Sequence, residues 1–190
     1  MRGLLRRLRP AAGRYLDRAL WVVVLGMLAW RLGPQLLAAT GIAAGDEAAP
    51  AFELTTLDGR RIASDSLAGK VVLVNFWATW CAPCRLEMPG LERVWRARRD
   101  EGFVIVGVAT DRSGPAGVQE FAAERGVTYP IAMATAEMVR AFGGYPGLPT
   151  SYLIDRDGRV RYRVVGFYSE PALRAAVARL LAAPARPSGP

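Results

Sequence analysis

The chain has 190 residues, of which 52% are hydrophobic and 22% are charged, and this globular composition excludes disorder along the whole length. Two cysteines are too few for a small protein stapled by disulfides. Histidine is absent, which excludes His-dependent zinc sites, Ser-His and Cys-His catalysis, and haem ligated by histidine.

The net charge of +8 is concentrated at the N-terminus. Residues 1–18 contain six arginines and one aspartate, whereas residues 46–190 contain 18 basic and 16 acidic groups. A domain that binds nucleic acid carries its basic excess on the folded part. We therefore expect no nucleic-acid partner.

An apolar stretch follows this basic tail; it begins at Ala19, is interrupted by Arg31 and continues to Ala44. A helix that spans a bilayer needs about 20 such residues, and flanking arginines keep their end in the cytoplasm. We therefore expect residues 1–18 to be a cytoplasmic tail and residues 19–44 to be a transmembrane anchor in the inner membrane. A cleaved signal peptide and a buried helix of a cytosolic protein are the alternatives. Both anchor and signal place the following domain in the periplasm or another extracytoplasmic space.

Residues 45–50 are small and polar and are predicted to be a linker, residues 51–182 one domain, and residues 183–190 a loose tail. The predicted elements of the domain are, in chain order, strands at Phe52–Thr56, Arg61–Ala63 and Val71–Trp77, a helix at Ala82–Arg99, a strand at Phe103–Ala109, a helix at Gly117–Arg125, a strand at Tyr129–Met133, a helix at Thr135–Phe142, strands at Ser151–Ile154 and Val160–Val165, and a helix at Pro171–Leu181. This order predicts a mixed α/β fold with helices on both faces of the sheet.

Both cysteines belong to one motif, Cys81-Ala82-Pro83-Cys84, which directly follows the apolar run Val71–Trp77 and opens a helix. The free N–H groups and the macrodipole at a helix N-terminus stabilise a thiolate at Cys81. Cys84 lies one turn further on, where it can attack a mixed disulfide formed at Cys81. The motif therefore predicts thiol–disulfide exchange.

Other readings of the cysteine pair are weaker. A structural disulfide across two residues closes almost no loop, and a zinc site needs four ligands. A c-type haem site needs histidine after the second cysteine, where Arg85 stands. Binding of Cu(I) by two thiolates and a pair of core cysteines remain as alternatives.

The segment from Val71 to Cys84, VVLVNFWATWCAPC, resembles the active-site stretch of thioredoxin-fold proteins. The chain over residues 50–181 is similar to the membrane-anchored TlpA/ResA/DsbE group of thiol–disulfide oxidoreductases. That similarity is carried also by the run through Glu87-Met88-Pro89 and by Gly147-Leu148-Pro149-Thr150 ahead of a strand. The resemblance implies a thioredoxin fold with an N-terminal β-hairpin extension and an insertion within residues 110–142.

The resemblance also implies roles for individual residues. Pro149 is expected to be the cis-proline facing Cys81, with the Leu148 backbone pairing with an extended client. Glu87 is expected to be buried on the Cys84 side of the helix, with a raised pKa that suits it to exchange a proton with Cys84; a solvated glutamate is the alternative. The expected client-binding residues are Trp80, Pro83, Leu148, Pro149 and Thr150.

The resemblance implies that the protein reduces disulfides in exported proteins, for example in cytochrome c maturation, with electrons from a membrane donor of the DsbD/CcdA type. No cofactor or metal is expected. An oxidant that introduces disulfides is one alternative. A tethered module that binds Cu(I) or a client without turnover is another, and it differs in class because it is not an enzyme.

Overall fold

The computed structural model describes residues 18, 20–27 and 42–184. The chain divides into two units, Met1–Thr40 and Gly41–Pro190. In the first unit, residues 20–27 are helical. No helix among the described residues combines the length and the apolar character that crossing a bilayer requires. Most of the predicted tail (1–18) and anchor (19–44), and residues 185–190, lie outside the described residues.

The strands of the second unit are β1 Ile42–Ala48, β2 Glu53–Thr55, β3 Arg61–Ala63, β4 Val71–Trp77, β5 Phe103–Ala109, β6 Ile131–Met133, β7 Thr150–Ile154 and β8 Arg159–Val165. In the described residues, β2 and β3 form a hairpin, and the others form one sheet in the order β1-β8-β7-β4-β5-β6. β4, β5 and β6 run parallel, whereas β7 is antiparallel to both β4 and β8. β4 therefore lies inside the sheet, where all seven of its residues are buried.

The helices of this unit are α1 Ala82–Arg98, α2 Gly114–Glu124, α3 Ala136–Ala141 and α4 Glu170–Ala182, with 3-10 turns at Ser64–Leu67 and Arg99–Glu101. Alternate side chains of β4 point to opposite faces of the sheet. Leu73 and Trp77 pack in a cluster with residues of α1, α2 and α4. Val74 and Phe76 pack in a second cluster with Met138 of α3 and with the β2–β3 hairpin. The predicted α/β fold with helices on both faces is confirmed.

The predicted linker at residues 45–50 is wrong over its first four residues, because they belong to β1. This strand pairs antiparallel with β8, so its backbone groups find partners along the edge that β8 presents. Asp46 also makes ion pairs with Arg159, at 2.7 Å, and with Arg161. Pairing with an existing edge allows a strand to form from alanine, glycine and acidic residues that have little strand propensity of their own.

Two predicted boundaries also move by more than one residue. The helix expected at 117–125 begins at Gly114, since the tight turn around Asp111 starts it earlier, and the strand expected at 129–133 begins at Ile131. Both changes lie between β5 and β7, in the region expected to be an insertion.

Candidate active site

The cysteine pair lies where the central strand gives way to the first helix. Cys81 is the N-cap of α1, and the backbone N–H of Cys84 donates a hydrogen bond to Cys81 Sγ at 3.3 Å. Cys81 and Cys84 form a disulfide, with their Cα atoms 5.3 Å apart. Pro83 lies in the first turn, where a missing N–H costs no helical hydrogen bond. The motif therefore has the helix-terminal position that favours a thiolate at Cys81.

The two sulfurs differ in accessibility. Cys84 is completely buried, Cys81 retains 4% of its surface, and the adjacent Trp80 is 66% exposed. Cys81 is therefore the member of the pair that keeps some exposed surface, which fits the order of attack predicted from the sequence.

Glu87 lies three residues after Cys84 on the same helix and is buried, with 2% of its surface exposed. Its Oε1 accepts a hydrogen bond from Asn75 Nδ2 at 2.8 Å, and its Oε2 accepts one from the backbone N–H of Tyr168 at 2.9 Å. Burial raises the pKa of Glu87 to about 7, although these two hydrogen bonds partly offset the effect. The expected buried glutamate is present, and the alternative of a solvated one is wrong.

The sequence prediction of the site did not include the groups that hydrogen-bond to Glu87. Asn75 interrupts the apolar strand β4 and donates a second hydrogen bond to Ser151 Oγ at 2.9 Å. An amide inside an apolar run is a signal that it has a buried partner. The Tyr168 contribution comes from a backbone group 81 residues away, which no side-chain pattern indicates.

The Leu148–Pro149 peptide bond is cis, as the resemblance implies. Thr150 pairs with Phe76 at the start of β7, so this bond lies at the end of the sheet from which the Cys81 loop emerges. The Thr150 side chain differs from its expected role in client binding, because it is completely buried and its hydroxyl donates to the Gly147 carbonyl at 2.7 Å. Thr150 thus positions the loop that carries Leu148.

Asp111 joins the loop after β5 to the loop before α1. Its Oδ2 accepts hydrogen bonds at 2.6 Å from both the backbone N–H and the hydroxyl of Thr79, and its Oδ1 accepts from Ser113. Burial raises the pKa of Asp111, but the hydrogen bonds from Thr79 and Ser113 outweigh it and hold the pKa well below its usual range. The sequence prediction missed this residue.

A groove of about 430 Å³ opens where three loops meet, and we call it the client groove. Trp80, Thr110, Arg112 and residues 145–148 line it. A larger cavity of about 680 Å³, lined by residues that include Lys70 and Asp157, lies at the opposite end of β4 and includes neither cysteine. The lining of the client groove also lacks both cysteines, but it includes Trp80, the residue directly before Cys81, so this groove adjoins the motif.

Within the described residues, no group of three or more potential side-chain ligands is arranged to hold a metal ion. Cys81 and Cys84 are the two thiol side chains of the chain, and here they are bonded to each other.

The model of the family described as redoxin matches residues 43–179. The chain belongs to the redoxin family. It is 36% identical over 118 residues to the thiol-disulfide oxidoreductase ResA of Bacillus thuringiensis (strain Al Hakam), covering 62% of this chain and 68% of that protein. Identity to ResA of Bacillus subtilis (strain 168) is 36% over 122 residues, covering 64% and 68%.

Among solved structures, this redoxin resembles a thiol:disulfide interchange protein of the thioredoxin family from Chlorobium tepidum TLS. The TM-score is 0.67 and the identity 39%, over 73% of this chain and 99% of that one. The expected thioredoxin fold is confirmed. The redoxin is a thiol–disulfide oxidoreductase of the ResA/DsbE type, with its disulfide-capable pair at Cys81 and Cys84.

Proposed function

We propose that this redoxin reduces disulfide bonds in exported proteins. The observation that carries the proposal is the asymmetry of the site, in which Cys81 keeps 4% of its surface exposed, Cys84 is completely buried, and the carboxylate of Glu87 is buried on the same helix. A buried negative charge disfavours a thiolate beside it. The helix N-terminus favours the thiolate of Cys81, but a dithiol whose buried Cys84 thiolate is destabilised gives up its electrons more readily than one in which both thiolates are stabilised.

The mechanism begins with the reduced pair. The Cys81 thiolate attacks one sulfur of a client disulfide, a new S–S bond forms, and the other client sulfur leaves as a thiolate. The Glu87 carboxylate then accepts the proton of the Cys84 thiol. The Cys84 thiolate attacks Cys81 Sγ and expels the first client sulfur. Two electrons pass to the client, and the Cys81–Cys84 disulfide results.

The client segment is proposed to lie across the mouth of the site. Trp80 and Pro83 flank Cys81 on one side, and Leu148 and Pro149 approach from the loop before β7 on the other. The backbone of Leu148 pairs with the extended client, as strands pair at an exposed edge. Thr150 positions the loop that carries Leu148 through its hydrogen bond to the Gly147 carbonyl.

The cellular setting is part of the proposal. The basic tail and the apolar stretch that follows it, up to the start of β1 at Ile42, anchor the protein in the inner membrane, with the domain on the periplasmic or extracytoplasmic side. Clients then include apocytochromes c before haem attachment, and a donor of the DsbD/CcdA type restores the dithiol. The support is the charge pattern of the sequence together with the similarity to ResA.

A pair of assays tests the direction of electron flow. The reduced protein is incubated with a disulfide-bonded peptide, and the oxidised protein with the matching dithiol peptide, each in glutathione buffers. We expect reduction to be favoured at the potential of the glutathione pool. Net oxidation of the dithiol peptide at that potential would make the protein an oxidant.

Clients and compartment are tested together in the native host. Cys84→Ser leaves Cys81 able to attack and removes the resolving thiol, so clients stay attached through a disulfide. We expect exported cysteine-containing proteins to be captured by Cys84→Ser and not by the matched control Cys81→Ser. Capture of cytoplasmic proteins would contradict the proposed location, and stoichiometric Cu(I) binding without any captured client would favour the binding module.

A further inference from the structure

The client groove has one charged residue among its described lining residues, and that residue is Arg112. Trp80 and Leu148 give the groove apolar walls, and Thr110 adds a hydroxyl. Arg112 is exposed and makes no ion pair with any residue of the described ranges 18, 20–27 and 42–184. A client in this groove therefore meets an apolar surface and an unneutralised positive charge.

The carboxylate of Asp111, the residue directly before Arg112, is bound to other groups. Asp111 turns its carboxylate to Thr79 and Ser113 and lines an adjoining cavity together with Arg140. These hydrogen bonds also fix the backbone next to Arg112 relative to the loop that carries Trp80. Arg112 thus starts from a fixed backbone position on the wall of the groove.

A second arginine adds to the positive charge near the site. Arg85 follows Cys84 on the exposed side of the first turn of α1, and among the described residues it too lacks an ion pair. We propose that the client groove selects extended client segments that carry a carboxylate side chain within a few residues of the disulfide, and that Arg112 binds this carboxylate. The inference rests on the proposed function, because it names which disulfide-containing segments are preferred.

Three peptides of identical length and disulfide spacing test the proposal. They carry two glutamates, two glutamines or two lysines beside the disulfide. The rate of reduction of each by the reduced protein is divided by its rate with dithiothreitol, which removes the effect of the added charges on the peptide's own reactivity. At low ionic strength we expect the Glu peptide to exceed the Lys peptide about threefold, as for an exposed ion pair, and the ratio to fall towards one in high salt.

Variants at Arg112 test whether the groove causes the preference for the Glu peptide over the Lys peptide. Arg112→Gln should remove most of the preference, and Arg112→Glu should invert it. Arg99→Gln is the matched control, because it removes the same charge just beyond the far end of α1, a helix about 25 Å long, and it should leave both the rates and the ratio unchanged. The thermal unfolding midpoint of each variant verifies folding, and the use of a ratio makes the result independent of a general loss of activity.

The outcomes separate the inference from the proposed function. Reduction of all three peptides at equal corrected rates, or a preference that survives Arg112→Glu, overturns the inference and leaves the proposed reductase standing. Failure to reduce any of the peptides overturns the proposed function itself. A preference that Arg112→Glu inverts, while Arg99→Gln does not alter it, supports the inference.

Discussion

The side-chain amide of Asn75 donates a hydrogen bond to the carboxylate of Glu87 at 2.8 Å, inside the protein and three residues along α1 from Cys84. The same nitrogen also donates to Ser151 Oγ. Asn75 is thereby fixed between two acceptors, and its hydrogen bond holds the carboxylate of Glu87, which lies three residues after Cys84 on α1. This hydrogen bond connects strand β4 to helix α1, which begins at the cysteine pair.

Loss of the Asn75 amide should raise the pKa of Glu87 further, because the hydrogen bond favours the ionised carboxylate. Asn75→Ala is expected to move the Glu87-dependent midpoint of the pH–rate profile upward by about one pH unit, as a hydrogen bond to a charged group is worth roughly 1.5–3 kcal/mol. Ser151→Ala is the matched control, since it leaves the bond to Glu87 in place. A midpoint that moves equally in both variants would show that Asn75 has no specific effect on Glu87.

Glu87→Gln should slow the resolving step, in which Cys84 loses its proton. The effect should be largest above about pH 7, where the wild-type carboxylate is ionised, and we expect roughly a 10²-fold loss there, the lower end for general-base catalysis. Single-turnover kinetics of mixed-disulfide decay between pH 5 and 9 measure it. An unchanged profile would remove Glu87 from the mechanism.

The raised pKa of Glu87 also predicts how stability changes with pH. Glu87 ionises at about 7 in the folded protein, against 4.5 as its ordinary value. As pH rises through this window, the unfolded state releases the proton first, so the free energy of unfolding falls, by up to about 3 kcal/mol. Urea unfolding from pH 4.5 to 8 should show this fall in the wild type and a flatter dependence in Glu87→Gln. Equal slopes in the two proteins would contradict the burial of an ionisable Glu87.

Removal of the Asp111 carboxylate should loosen the two loops that it joins. Asp111→Ala leaves the donors of Thr79 without their acceptor, and we expect it to lower the free energy of unfolding by about 2 kcal/mol and to raise KM for peptide clients. Ser113→Ala is the control, because Ser113 bonds Asp111 without linking the loop before α1. Equal effects of the two substitutions on KM would argue against a role for the Thr79–Asp111 link.

The sequence predicts those parts of the fold that depend on local pattern. The unbroken apolar run of β4 and the motif that follows it identify the central strand and the position of Cys81. β1 is not predictable in this way, since its residues have little strand propensity and the strand depends on the edge of β8. The two hydrogen bonds to Glu87 come from groups that lie 12 and 81 residues away from it in the chain, and only folding brings them together. The motif gives the place of Thr150 in the chain but not the direction of its side chain, which is buried.

The central claim is that Cys81 is the reactive sulfur and that Cys84 is protected behind it. The most direct measurement is the rate at which each thiol of the fully reduced protein is alkylated between pH 4 and 10, with the modified residue identified by mass spectrometry. We predict that Cys81 reacts first at every pH, with a midpoint below the value of about 8.5 that is typical of a free cysteine. Faster modification of Cys84, or a Cys81 that becomes reactive only above that value, would contradict the account.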